Sequence, residues 1–101
     1  MTDKAQDLQQ LIALSRTMLE KAQEGFWDDV VDLEAERIGL IEAFFLEPVQ
    51  QEYAEEVAVG VRSIIAIDID IMELGRLKKL DLVDILQKME QGKKAVQAYG
   101  S

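Results

Sequence analysis

Residues 25–45, GFWDDVVDLEAERIGLIEAFF, constrain this chain more than any other stretch. Stepped at about 100° per residue, Phe26, Trp27, Val30, Val31, Leu33, Ile38, Leu40, Ile41, Phe44 and Phe45 fall on one continuous arc of roughly 180°. That is an amphipathic helix whose apolar side is wide enough to face two neighbours. Glu34 and Arg37 lie inside the arc, three residues apart, so their side chains can meet on the same face. The remaining elements have to be arranged around a helix that carries an acid and a base within its apolar surface.

Composition agrees with a helical protein and removes most chemistry. With 101 residues, 49% of them hydrophobic, the chain is long enough for a packed core and short enough for a single domain. One proline and six glycines are too few for the many tight turns of an all-β fold. The formal net charge of −9 and the absence of any extended Lys/Arg cluster argue against nucleic acid and against an anionic membrane surface. No basic segment precedes an apolar run at the N-terminus, and no apolar segment is long enough to insert in a bilayer, so the expected location is the cytoplasm. Cysteine and histidine are both absent. Disulfides, thiolate nucleophiles, imidazole bases and the usual zinc sites therefore drop out. Only carboxylates and lysines remain, without a pocket or nucleophile arranged around them. The reading is a binding protein without a cofactor rather than an enzyme.

Along the chain, Thr2 and Asp3 are competent N-caps for a first helix over about residues 3–24. Its apolar stripe is Leu8, Leu11, Ile12, Ser15, Met18, Leu19 and Ala22. Gly25 suits the left-handed position that ends a helix, and the chain must then reverse within very few residues, as in an antiparallel helical hairpin. The second helix spans about residues 26–46 and stops ahead of Pro48, which is placed in the first turn of helix 3. Residues 64–71 alternate apolar and acidic side chains, the period of a strand. A lone strand would have no partner, and a helix places Val57, Val61, Ile64, Ile65, Ile71 and Met72 on one face with Asp68 at its centre. The apolar pattern continues past Leu74 without a proline, so helix 3 is expected over about residues 49–90. A short C-terminal helical segment, 93–99, is set off by Gln91 and Gly92.

The lengths do not match. Helix 3 would be roughly 60 Å long against about 30 Å for helix 2, so pairing uses it up near Met72 and leaves the rest projecting beyond the Gly25 turn. An exposed apolar surface of that size marks an interaction site. The candidate partner-binding residues are Leu74, Leu77, Leu80, Val83, Leu86 and Met89, with Val96 and Tyr99 available to cover them if the C-terminal segment folds back. Glu34, Arg37 and Asp68 form the second constellation. Arginine's planar fork can serve two carboxylates, so Arg37 is expected to bridge Glu34 and Asp68 and set the register of helices 2 and 3.

Several of these residues form a familiar pattern. Trp27, Asp28, Val30, Leu33, Glu34, Arg37, Leu40 and Ile41 match the spacing W-(D/E)-x-L-x-x-L-E-x-x-R-x-x-L-I. Asp68 fills an acidic position in the apolar run 64–74, and Lys94-Ala-Val-Gln-Ala-Tyr99-Gly100 resembles a recurrent ending. Together they resemble the FliT family of flagellar type III export chaperones. The resemblance implies a small all-α protein, an antiparallel helical bundle, that binds the filament-cap protein FliD before secretion. It also implies contact with the export ATPase complex and, in enteric bacteria, with the flagellar master regulator. Two other functions stay open on the residues alone: a homodimeric structural module with no client, and regulation of a flagellar transcription factor by direct binding.

Overall fold

The computed structural model describes the backbone of residues 4–100 and the side chains of residues 4–90. The chain is all-α, with three helices and no strand among the described residues: α1 Lys4–Glu24, α2 Trp27–Phe44 and α3 Ala54–Gly100, with one 3₁₀ turn at Gln51–Tyr53 ahead of α3. The ambiguous alternation at 64–71 is helical, because the face carrying Ile64 and Ile71 packs on the other helices whereas a strand there would stand alone. Thr2 and Asp3, the expected caps of helix 1, lie outside the described residues.

The first turn closes as its glycine demands. Gly25 has φ +84°, its N–H donates to the carbonyl of Ala22, and the N–H of Phe26 donates to that of Lys21. These two bonds satisfy the last carbonyls of α1 and reverse the chain. The contacts then pair the end of α1 with the start of α2, through Met18, Ala22 and Val30. The start of α1 meets the end of α2, through Leu8, Leu11 and Phe44, with the Lys4 ammonium donating to the Phe44 carbonyl. Pro48 is not in a helix. Residues 48–50 are irregular, Gln50 is extended at ψ 145°, and α3 begins only at Ala54. The half-buried Val49 packs against the first core cluster from this segment, which holds the backbone down ahead of the helix.

The centre of the bundle is α1. It packs against both other helices, whereas no Cα of α2 lies within 8 Å of a Cα of α3 among the described residues. Direct pairing of helices 2 and 3, the arrangement that the sequence suggested, gives way to one in which both lean on α1. The reason is visible in the side chains at the contacts. The α1 stripe is small at its middle (Ser15) and near its end (Ala22), and α3 offers Gly60 where Leu8 crosses it. A Cβ added at Gly60 would stand 2.7 Å from a Leu8 methyl, so α1 and α3 approach as closely as they do only because that side chain is absent.

Two apolar clusters fill the bundle. One joins Leu8, Leu11, Ile12, Phe44, Val57 and Ile64; the other joins Met18, Ala22 and Val30, with Trp27, Leu33, Ile71 and Leu74 packed against it. Beyond them α3 continues alone. It is helical without a break through Gly92, so the segment 93–99 is the end of α3 and not a separate piece folded back on it. Neither Gln91 nor Gly92 is enough to stop a helix, since an isolated glycine costs only about 1 kcal/mol against alanine. The result is a rod with extents of 74 × 20 × 20 Å.

Candidate partner-binding surface

A polar layer separates the two apolar clusters. Arg37, 7% exposed, reaches across from α2. Its Nη1 donates to the Ser15 hydroxyl of α1 at 3.0 Å and to Oδ1 of Asp68 on α3 at 2.7 Å, while Nη2 donates to Oδ2 of Asp68 at 3.1 Å. Ser15 passes its own proton to the Leu11 carbonyl at 2.9 Å. One side chain thus ties all three helices at one level, and because the fork is bidentate it fixes their axial register. Its net contribution to stability is small, since desolvating the pair offsets much of the attraction.

Glu34 is the correction. It is exposed and takes no part in the pair; Ser15 occupies the third place. The two Nη groups of Arg37 are taken up by Ser15 of α1 and Asp68 of α3. A hydrated surface carboxylate gains at most about 0.5 kcal/mol from an intrahelical pair, too little to draw the fork back. Ser15 was countable only as a small member of the α1 stripe. A hydroxyl at the one level where both other helices carry a charge is the signal that identifies it.

The predicted partner-binding residues fall into two groups. Leu74 is half-buried against the Met18–Ala22–Val30 cluster and belongs to the core. Cover extends one turn further: Trp27 lies 3.6 Å from the Cβ position of Gly75, and the Lys78 ammonium stands 5.5 Å above the Trp27 ring. After that, Leu77, Leu80, Val83, Leu86 and Met89 are exposed, as are Leu82 and Ile85, which the sequence reading included in the apolar run but not among the binding residues. Leu86 and Met89 are 63% and 66% exposed. On the helical wheel these side chains surround the axis, and a helix that is apolar all round is ordinarily buried by several neighbours. Leu82, Ile85 and Met89 continue the same side of α3 that packs on α1 and α2 lower down. The side chains of Val96 and Tyr99 lie outside the described residues; their backbone continues α3.

A second apolar surface was not foreseen. Of the broad α2 arc, only Val30, Arg37 and Phe44 are buried, while Val31, Ile38 and Phe45 remain exposed. Val31 and Ile38 share the α2 flank that carries Glu34 and Trp27. Across from it, α3 exposes Ile65, Ile69 and Met72 next to Asp68. A cavity of about 190 Å³ is lined by Arg37 and Asp68 together with Met18, Val30, Glu34, Ile71 and Met72. Arg37 Nε is buried there with no hydrogen-bond partner among the described residues. At the upper end of this flank Arg76 grips Glu73, and that hydrogen bond holds the Glu73 carboxyl below the usual carboxylate range.

Among the described residues, no group of three or more acids is placed to hold a metal ion, and no helix is long and apolar enough to cross a membrane. What the geometry offers is exposed apolar surface on α2 and α3. One family model matches, described as flagellar protein FliT, over residues 5–101. Neither the curated proteins nor the solved structures contain a match to this chain.

Proposed function

The chain belongs to the FliT family of flagellar proteins, and from that membership we propose that it is a cytosolic export chaperone which holds the filament-cap protein FliD before secretion and hands it to the export ATPase complex. No bond is made or broken. The observation that carries this reading is the bare stretch of α3, where Leu77, Leu80, Val83, Leu86 and Met89 are exposed beyond the last turn that α1 and α2 cover. A holding chaperone needs an apolar face that a client helix can use and that the core does not need, and a groove or stripe with i, i+3, i+4 spacing is what an amphipathic helix recognises. Methionine at position 89 adds adaptability to such a surface. Leu74 anchors the stretch to the body.

The test is titration calorimetry with a C-terminal FliD fragment. The parent chain is expected to bind it. A Leu80→Ser, Leu86→Ser variant is expected to lose at least tenfold in affinity, the scale of removing two buried leucines from an interface, at about 1.4 kcal/mol per decade. A parent chain that ignores the fragment, or a variant that binds it equally well, removes the reading. A homodimeric module without a client is the second reading, favoured by the exposed apolar side chains Ile65, Ile69 and Met72 earlier on α3.

A further inference from the structure

The end of the bundle away from the projection carries a surface of a different kind. Residues 40–61 contain five acids, Glu42, Glu47, Glu52, Glu55 and Glu56, and no base. None of the five carboxylates is in an ion pair among the described residues. Glu55 and Glu56 stand in the first turn of α3, where the helix dipole favours a negative charge. Glu42 and Glu47 stand at the opposite pole, the last turn of α2 and just beyond it, where the dipole favours a cation and α2 supplies none. Helix stability therefore does not account for them. Interleaved with these acids in the sequence, the chain exposes Phe45, Leu46 and Tyr53, with Leu46 at 82% and Phe45 at 53%. A connection between two helices is ordinarily made of small or polar residues, and large apolar side chains add nothing to a turn.

This connection is pinned along its length. The N–H of Phe45 donates to the Ile41 carbonyl at 3.1 Å, and its ring stands edge-on to the buried Phe44, with 4.9 Å between centroids. The Lys4 ammonium donates to the carbonyls of Phe44 and Glu47. Val49 packs on the core, and the N–H of Tyr53 donates to the Gln50 carbonyl at 2.9 Å. Side chains presented from a backbone that is already fixed lose little freedom on binding, which is what an interface anchor requires. A cleft of about 280 Å³ is lined by Leu11, Leu40 and Leu46 and by the acids Asp7 and Glu47. Its one base, Lys4, is engaged by the two carbonyls. Leucines beside carboxylates suit the apolar stem and charged head of a lysine or arginine. Exposed apolar anchors accompanied by unpaired acids are complementary to an apolar face flanked by Lys and Arg. Nucleic acid and anionic lipid would be repelled by the same charges.

We propose that the connection between α2 and α3 is a docking surface for a second protein partner, with Phe45, Leu46 and Tyr53 as its anchors and Glu42, Glu47 and Glu52 as its charges. The partner presents an amphipathic helix that carries Lys or Arg beside its apolar face. The inference goes beyond the holding of a client, because the length of α2 separates this surface from the projecting turns of α3, and both can be occupied at once. Its test uses the full chain without the FliD fragment, so a failure here leaves the chaperone reading standing. The probe is a synthetic amphipathic peptide of leucine and lysine, about 18 residues long, or roughly five helical turns. Titrated into the isotope-labelled chain, it is expected to shift the amide resonances of residues 40–56. The same peptide with glutamate in place of lysine is expected to leave them unmoved. Leu46→Ser, with its fold verified by circular dichroism, is expected to bind the lysine peptide about tenfold more weakly. The inference is overturned by a lysine peptide that moves nothing or chiefly the projecting turns of α3, by a glutamate peptide that binds equally, or by a Leu46→Ser chain of unchanged affinity. It is also overturned by shifts at residues 40–56 that follow the concentration of the chain alone, which assign the surface to a second copy.

Discussion

The two ends of α3 differ in what supports them. From Val57 to Lys78 almost every turn has a neighbour: Val57 and Ile64 in one cluster, Gly60 under Leu8, Asp68 on Arg37, Ile71 and Leu74 in the second cluster, Gly75 and Lys78 at Trp27. From Lys79 to Glu90 every described side chain is exposed, though half of these residues are apolar. One helix thus contains a part whose sequence is chosen by packing and a part whose apolar residues have no structural use within one chain. The difference separates stability from function: substitutions below Lys78 should change folding, and substitutions above it should change assembly.

The largest effect should come from leaving the polar layer half made. Asp68→Ala removes the only carboxylate on a guanidinium that is 7% exposed and leaves a buried charge without a partner. Urea unfolding followed by circular dichroism should show a loss of about 3–5 kcal/mol. Arg37→Met in the same assay should stay within about 1 kcal/mol of the parent, because an apolar side chain of similar length fills the space and the partly exposed Asp68 returns to water. Equal losses for the two would mean that the layer contributes net attraction and not only register.

Gly60→Ala should come next. The added methyl meets the side chain of Leu8, which is 2% exposed, at 2.7 Å. Overpacking of this kind costs roughly 1–3 kcal/mol, and a melting curve that does not move would show that α1 and α3 separate freely at this level.

The division along α3 was partly legible before any coordinates. Arg37 and Asp68 are conspicuous because each is a charge at the centre of an otherwise apolar face, and buried charges need partners. The overhang followed from counting residues against a rise of about 1.5 Å. What could not be read was which helix lies in the middle. The α2 arc of roughly 180° is compatible with two close neighbours, yet only α1 approaches α2 backbone to backbone, α3 meets it through side chains, and Val31, Ile38 and Phe45 are left bare. Hydrophobic periodicity reports that a face is apolar and is silent on whether this chain or another covers it. The same ambiguity moved the start of the overhang: Leu74 belongs to the core because Trp27, at the beginning of α2, reaches up to Gly75 and Lys78. Ser15 was counted as a spacer in the α1 stripe, and its role appears only once Arg37 is seen to cross α1 on its way to Asp68.

The smallest effect is the one that tests the comparison from the other side. Leu86 is 63% exposed on a turn that packs on no other helix among the described residues, so Leu86→Ser removes no core contact. Only the difference in helix propensity remains, and the stability of the body, measured on dilute protein so that association does not contribute, should change by less than about 0.5 kcal/mol. The equivalent truncation at Leu74, packed on the Met18 cluster, would not be silent. A Leu86→Ser chain that melts measurably earlier than the parent at low concentration would mean that the projection is supported from within the chain, and that its leucines are core after all. An unchanged melt combined with lost binding of the FliD fragment would place those leucines on a surface used by another molecule.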